Sequence, residues 1–170
     1  MACDITIGRD RACKDGLGGN STLYLYNELS DAFTVLNGEA TAMNVLLTAA
    51  FAFPLEGDGN TLEQSMVSDR NTGTKVNTQT LTVMLKNMDA ATSAEFNLLA
   101  AGYPQAVVVD RNGNHHAIGL DDGIDFTVLA STGGAKTDMN GYTLTGVATT
   151  TDIAPLLDEA TITAFEGVVS

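Results

Sequence analysis

Two alternating segments, Thr61–Ser68 and Thr74–Lys86, joined by the turn-rich run Asp69-Arg70-Asn71-Thr72-Gly73, constrain this chain more than any other stretch. Side chains on a strand alternate faces with a period of two. Leu81, Val83 and Leu85 therefore share one side of the second segment, and Thr78, Thr80 and Thr82 the other. A threonine fits the pleat through its β-branch, while its hydroxyl meets water, a neighbouring strand or another subunit. A long hairpin with unlike faces requires a core on one side and a wet surface on the other, which speaks of architecture more than of chemistry.

The rest of the chain supplies that core. A length of 170 residues predicts a single domain, residues 1–170, large enough to bury an interior without staples. Hydrophobic residues make up 44% against 17% charged, too apolar for a disordered chain, and no tract is long enough to span a bilayer. The opening Met1-Ala2-Cys3-Asp4 runs straight into mixed polar sequence with no basic leader and apolar core, so secretion is not expected.

Charge narrows the partners. The net charge is −13, and three of the eight basic residues, Arg9, Arg11 and Lys14, fall within the first 14 positions. From Asp15 to Asp69 there are eight carboxylates and no Lys or Arg, and five more acids follow Lys136 unopposed. Such a surface repels phosphate instead of neutralising it, which argues against specific nucleic-acid binding. It serves solubility, or it presents an acidic wall past which another polyanion slides.

Residues 1–20 end in Asp15-Gly16-Leu17-Gly18-Gly19-Asn20, too glycine-rich for regular structure, and are expected to form an extended arm. Its cations and flexible path suit an arm that bridges subunits. Cys3 and Cys13 fit neither a metal-site spacing nor a disulfide-dense scaffold; free thiols are the default, and a bridge closing a small loop is the alternative.

Strands are predicted at Thr22–Tyr26, Phe33–Leu36 and Asn44–Leu55, the last because Val45, Leu47, Phe51, Phe53 and Leu55 fall together when counted by twos. After Lys86 the period changes. Asp89 as N-cap, an alanine-rich run with Phe96 and Leu99, Gly102 in a left-handed C-terminal position and Pro104 beyond it predict one helix. Gln105–Asp110 and Asn114–Leu120 flank Asn112-Gly113, a hairpin signal in which both central residues take positive φ. Ile124–Ala130, Tyr142–Thr145 and Thr161–Phe165 complete a set of about eight or nine strands, mainly β with one flanking helix, hence a β-sandwich or partial barrel.

Candidate chemistry is sparse. His115 and His116 are adjacent, so on a strand they point to opposite faces and do not share a metal. Asp121-Asp122-Gly123-Ile124-Asp125 lacks the ligand spacing and terminal Glu of a calcium loop. No Ser occupies a nucleophile elbow, and 21 carboxylates guarantee chance pairs. The expectation is a protein that is not an enzyme and carries no cofactor and no metal.

Three stretches resemble the tail tube (major tail) proteins of long-tailed bacteriophages: Leu62 through Asp69-Arg70-Asn71-Thr72-Gly73 to Val83; the helix with Val107-Val108-Val109-Asp110-Arg111-Asn112-Gly113; and Asp138-Met139-Asn140-Gly141-Tyr142-Thr143-Leu144-Thr145. The opening Cys3-Asp4-Ile5-Thr6-Ile7-Gly8-Arg9 with Cys13-Lys14-Asp15 is similar to the start of structural proteins of environmental tailed phages. The resemblance spans most of the chain outside Ala40–Leu55 and the residues after Thr149.

It implies β-sandwiches that join into six-fold rings around a continuous inner β-barrel, and rings that stack into a hollow tube conducting the genome. The expected partners are the chain itself, a tape measure protein and a tail terminator. Genomic DNA would pass without specific binding, no membrane would be involved, and the location would be the virion, after synthesis in the host cytoplasm. Thr78, Thr80 and Thr82 would line the lumen or a subunit seam, and Arg9, Arg11 and Lys14 would serve in assembly. The alternatives from other classes are a capsid decoration or neck protein, and a cellular β-sandwich binding module.

Overall fold

The computed structural model describes residues 3–170; Met1 and Ala2, the first two residues of the expected arm, lie outside the described residues. The strands are β1 (Asn20–Tyr26), β2 (Phe33–Leu36), β3 (Glu39–Met43), β4 (Phe51–Pro54), β5 (Thr61–Asp69), β6 (Thr74–Lys86), β7 (Gln105–Asp110), β8 (His115–Ile118), β9 (Asp125–Ser131), β10 (Gly141–Thr150) and β11 (Leu156–Leu157). Helix α1 (Ala90–Ala101) lies between β6 and β7, and α2 (Glu159–Glu166) follows β11. Two sheets result, one of seven strands in the order β2-β3-β11-β8-β7-β1-β4 and one of four in the order β5-β6-β10-β9. The protein is thus mainly β, and its sheets remain separate instead of closing into a barrel.

Its core follows from alternation on both sheets. Leu81 and Val83 of β6, Leu144 of β10 and Phe126 of β9 meet Leu23 and Leu25 of β1, Val108 of β7 and Ile118 of β8, with Phe96 of α1 closing one side. Gly146 sits on this inner face of β10 opposite Leu81 and Phe126, where a Cβ would come within 2.8 Å of Ile124 Cγ2 and Phe126 Cε1. A second core lies on the far face of the seven-stranded sheet, where Tyr26, Phe33, Val107 and Ala117 pack around Phe165 of α2. Strand β7 is apolar on both faces because it separates these two cores, as a continuous run of valines suits.

Several sequence expectations need correction. The single flanking helix is joined by α2, which occupies the predicted strand Thr161–Phe165. Asp158 caps it by accepting from the Thr161 amide at 2.7 Å, and buried Thr161 and Phe165 lie one turn apart. Asn44–Leu55 is not one strand. The Asn44 side chain accepts from the Leu46 amide at 2.9 Å and its carbonyl from Leu47 at 3.0 Å, so the chain turns there and only Phe51–Pro54 is extended in a sheet. Strand β3 was missed, although Asn37 and Gly38 (φ 54° and 82°) form the two-residue turn that joins it to β2.

The hairpin at Asn112-Gly113 forms between β7 and β8, but of those two only Gly113 has positive φ; the Asp110 carboxylate caps the turn by accepting from the Asn112 and Asn114 amides at 2.9 Å each. Gly102 ends α1 in an extended conformation (φ −109°, ψ −172°), not a left-handed one, while its amide still donates to Leu98. Asp89 caps the start of α1, as expected, accepting from the Thr92 amide at 2.7 Å.

Candidate assembly interface

The outward face of the four-stranded sheet carries the predicted hydroxyls. Thr78, Thr80 and Thr82 are half-buried and alternate with buried Asn77, Gln79, Leu81 and Val83. Strand register extends them sideways: Thr61, Thr82, Thr145 and Thr127 form one row across all four strands, and Ser65, Thr78 and Thr149 another. Neighbours in such rows lie about 4.5–5.5 Å apart at Cβ, so the face is a lattice of hydroxyls and methyls. Between the two rows lies a third, Glu63, Thr80, Val147 and Asp125, with two carboxylates and no cation.

The basic residues of the hairpin are directed elsewhere or paired. Lys75 has the alternation of the inner face and pairs with Asp152. Lys86, at the end of β6, lies 3.6 Å from Glu56. Arg70 is in the exposed turn. The middle of the outward face is therefore acidic.

Both margins of this sheet are open. Among the described residues strand β5, nine residues long, pairs only with β6, and β9, seven residues long, only with β10. Pairing with β10 ends at Asn77, so the turn end of the β5–β6 hairpin stands beyond the sheet. There Val67 faces Val76, 66% and 40% exposed. Long, unblunted edges invite strand addition.

The arm behaves differently. Residues 3–18 have no regular structure and are exposed, Arg9, Arg11 and Lys14 among them, and none of these three cations forms an ion pair among the described residues. Among the described residues the arm is hydrogen-bonded near its base, where Leu17 and Asn112 exchange two hydrogen bonds of 2.8 Å and the Arg111 amide donates to the Gly19 carbonyl. The structure therefore separates Arg9, Arg11 and Lys14 from Thr78, Thr80 and Thr82 instead of gathering them. Cys3 and Cys13 are exposed free thiols.

A buried polar cluster between the sheets escaped the sequence reading. Gln64 Oε1 accepts from Asn77 Nδ2 (3.1 Å), Gln79 Nε2 (3.4 Å) and the Ala154 amide (2.8 Å). Gln79 Oε1 in turn accepts from the Gly119 amide. The signal was present in the period-two continuation of Leu81 to Gln79 and Asn77, but polar residues do not announce burial. The adjacent histidines diverge: His115 is buried and stacks on Tyr24, while His116 Nε2 lies 3.2 Å from Asp110. Asp121 accepts from the Thr151 amide and hydroxyl. Burial pushes the Tyr26 hydroxyl up. Hydrogen bonds from Thr92 and Thr161 hold the capping carboxylates Asp89 and Asp158 below the usual range. Burial pushes Asp110 up, but hydrogen bonds from Asn114, His116 and Asn112 outweigh it and leave its carboxyl lowered.

Among the described residues no three or more His, Cys, Asp and Glu side chains gather as a metal site, and no helix is long and apolar enough to cross a membrane. No protein-family model matches the chain, no curated protein matches it, and no solved structure matches its fold.

Proposed function

We propose that this chain is a self-assembling structural protein, the subunit of a tube of the tailed-phage type, in which the four-stranded sheet continues from copy to copy around a ring and rings stack. One observation carries the reading: a single sheet combines a buried apolar face, a hydroxyl-rich outward face and two long open edges. Joining β5 of one copy to β9 of the next would satisfy both edges at once and place Thr78, Thr80 and Thr82 on the concave wall of a closed ring. The resemblance of the hairpin and β10 to tail tube proteins points the same way. Glu63 and Asp125 would give that wall negative charge, so that DNA slides without adhering.

Negative-stain electron microscopy of the purified chain tests this. Rings or rods are expected. A protein that remains monomeric at high concentration sinks the reading and leaves a decoration protein or a cellular binding module in its place.

A further inference from the structure

The arm and an apolar groove at the opposite end of β1 form a complementary pair. The groove, about 560 Å³, lies between α1 and β4 and is lined by Phe51, Phe53, Phe96, Leu98 and Tyr103. Leu98 is 68% exposed, Tyr103 58% and Phe51 49%, a concentration of bare apolar surface that water does not favour. Glu28 and Glu95 stand beside it, exposed, and neither forms an ion pair among the described residues. The arm offers the matching pattern: Ile5 and Ile7 are 96% and 84% exposed, and on an extended segment they would share one side with Arg9 and Arg11.

Strand β4 also has backbone to offer. Leu55 donates to Ser21 across β1, which puts residues 51, 53 and 55 in hydrogen-bonded register and turns the Ala52 N–H and C=O away from β1. The C-terminal residues already hold the neighbouring Ala50 amide and carbonyl.

We propose that residues 4–11 of one copy's arm seat in this groove of a second copy, with Ile5 and Ile7 beside Phe51 and Phe53 under Leu98, and with Arg9 and Arg11 at Glu28 and Glu95. The seat is heterologous, because the arm leaves at Asn20 and the groove opens at Tyr26, the two ends of β1. A head-to-tail contact of this kind closes into a ring or propagates along an axis; with the ring closed through β5 and β9, this one runs along the axis. The assignment rests on the self-assembly reading and names what joins successive copies along the tube.

The arm's own thiols provide the test. A tagged full-length chain with native Cys3 is mixed, under assembling conditions, with a differently tagged chain carrying Cys3→Ser, Cys13→Ser and Leu98→Cys, and mildly oxidised. A disulfide joining the two tags is expected, with none when Leu129→Cys, exposed on β9 of the other sheet, replaces Leu98→Cys. Ile5→Asp with Ile7→Asp should abolish it without altering circular dichroism, because both side chains are exposed. Arg9→Glu with Arg11→Glu should lower the yield several-fold, and Glu28→Arg with Glu95→Arg in the receiving chain should restore it. Rods without the mixed disulfide, equal yield at Leu129→Cys, or a bond formed only within one chain would overturn the proposal. Absence of rods as well would overturn the reading beneath it.

Discussion

Gln79 of the four-stranded sheet accepts a hydrogen bond of 2.9 Å from the Gly119 amide beyond β8, and so links the two sheets through a contact in which both partners are buried from water. Its other end donates to Gln64, which also serves Asn77 and Ala154. Removing one member of a buried polar set strands the others, at a cost of about 1–3 kcal/mol each. Gln79→Leu is therefore expected to lower the urea midpoint markedly despite its higher hydrophobicity, with equilibrium unfolding followed by circular dichroism as the measurement.

The two faces of β6 should respond in opposite ways. Val83 is fully buried, and Val83→Asp places an unpaired charge among Leu81, Leu144 and Ile118, costing several kcal/mol. That variant should not fold. Thr80→Lys with Thr82→Lys alters only the outward face and should leave the monomer folded while changing rings. Size exclusion and circular dichroism separate the outcomes; unfolding by both variants would defeat the two-face assignment.

Gly146 tests packing from the other direction. A side chain there meets Ile124 and Phe126 closer than atoms tolerate, so Gly146→Val should destabilise by about 1–3 kcal/mol through overpacking. A thermal melt reads it directly, and an unchanged midpoint would mean that the inner faces are looser than the structure shows.

DNA provides a charge test. Assembled protein should not retard duplex DNA in a low-salt gel shift, because the row Glu63, Thr80, Val147 and Asp125 has no group able to release counterions from phosphate. Glu63→Lys with Asp125→Lys should create retardation that disappears with added salt, as screening shortens to below about 8 Å. Tight binding by the unaltered assembly would favour a connector that grips DNA.

The capping carboxylates of two helices and one hairpin turn set an acid limit. Asp89, Asp110 and Asp158 have lowered values in the folded chain, so their stabilisation is fully present above the ordinary carboxylate value near about pH 4 and is lost as pH falls through the lowered values. Asp89→Asn with Asp158→Asn should flatten the fall in urea midpoint across that acid window while changing little at pH 7, since Asn also caps helices.

What the sequence disclosed follows a physical division. Leu81 and Val83 against Thr80 and Thr82 were legible because alternation and polarity agreed, and Asp89 was legible because a cap is a local event. Thr161–Phe165 misled because β-branched Thr161, Ile162 and Thr163 favour strands, whereas the Asp158 cap and the burial of Phe165 against a distant sheet decided for helix. The open edges of β5 and β9 are properties of strand order, which no local pattern contains. The groove under Leu98 is likewise assembled from β1, β4 and α1, three segments far apart in the sequence.

The position of β7 between two cores has a kinetic consequence. Its amides open only if both the inter-sheet packing and the seat of Phe165 give way, so they should exchange with deuterium through global unfolding alone. The arm and the free turn of the β5–β6 hairpin, with few buried contacts, should exchange fastest. Association therefore has its clearest signature where the isolated chain is least protected: slowed exchange along β5, β9 and residues 4–11, against a β7 background that stays constant.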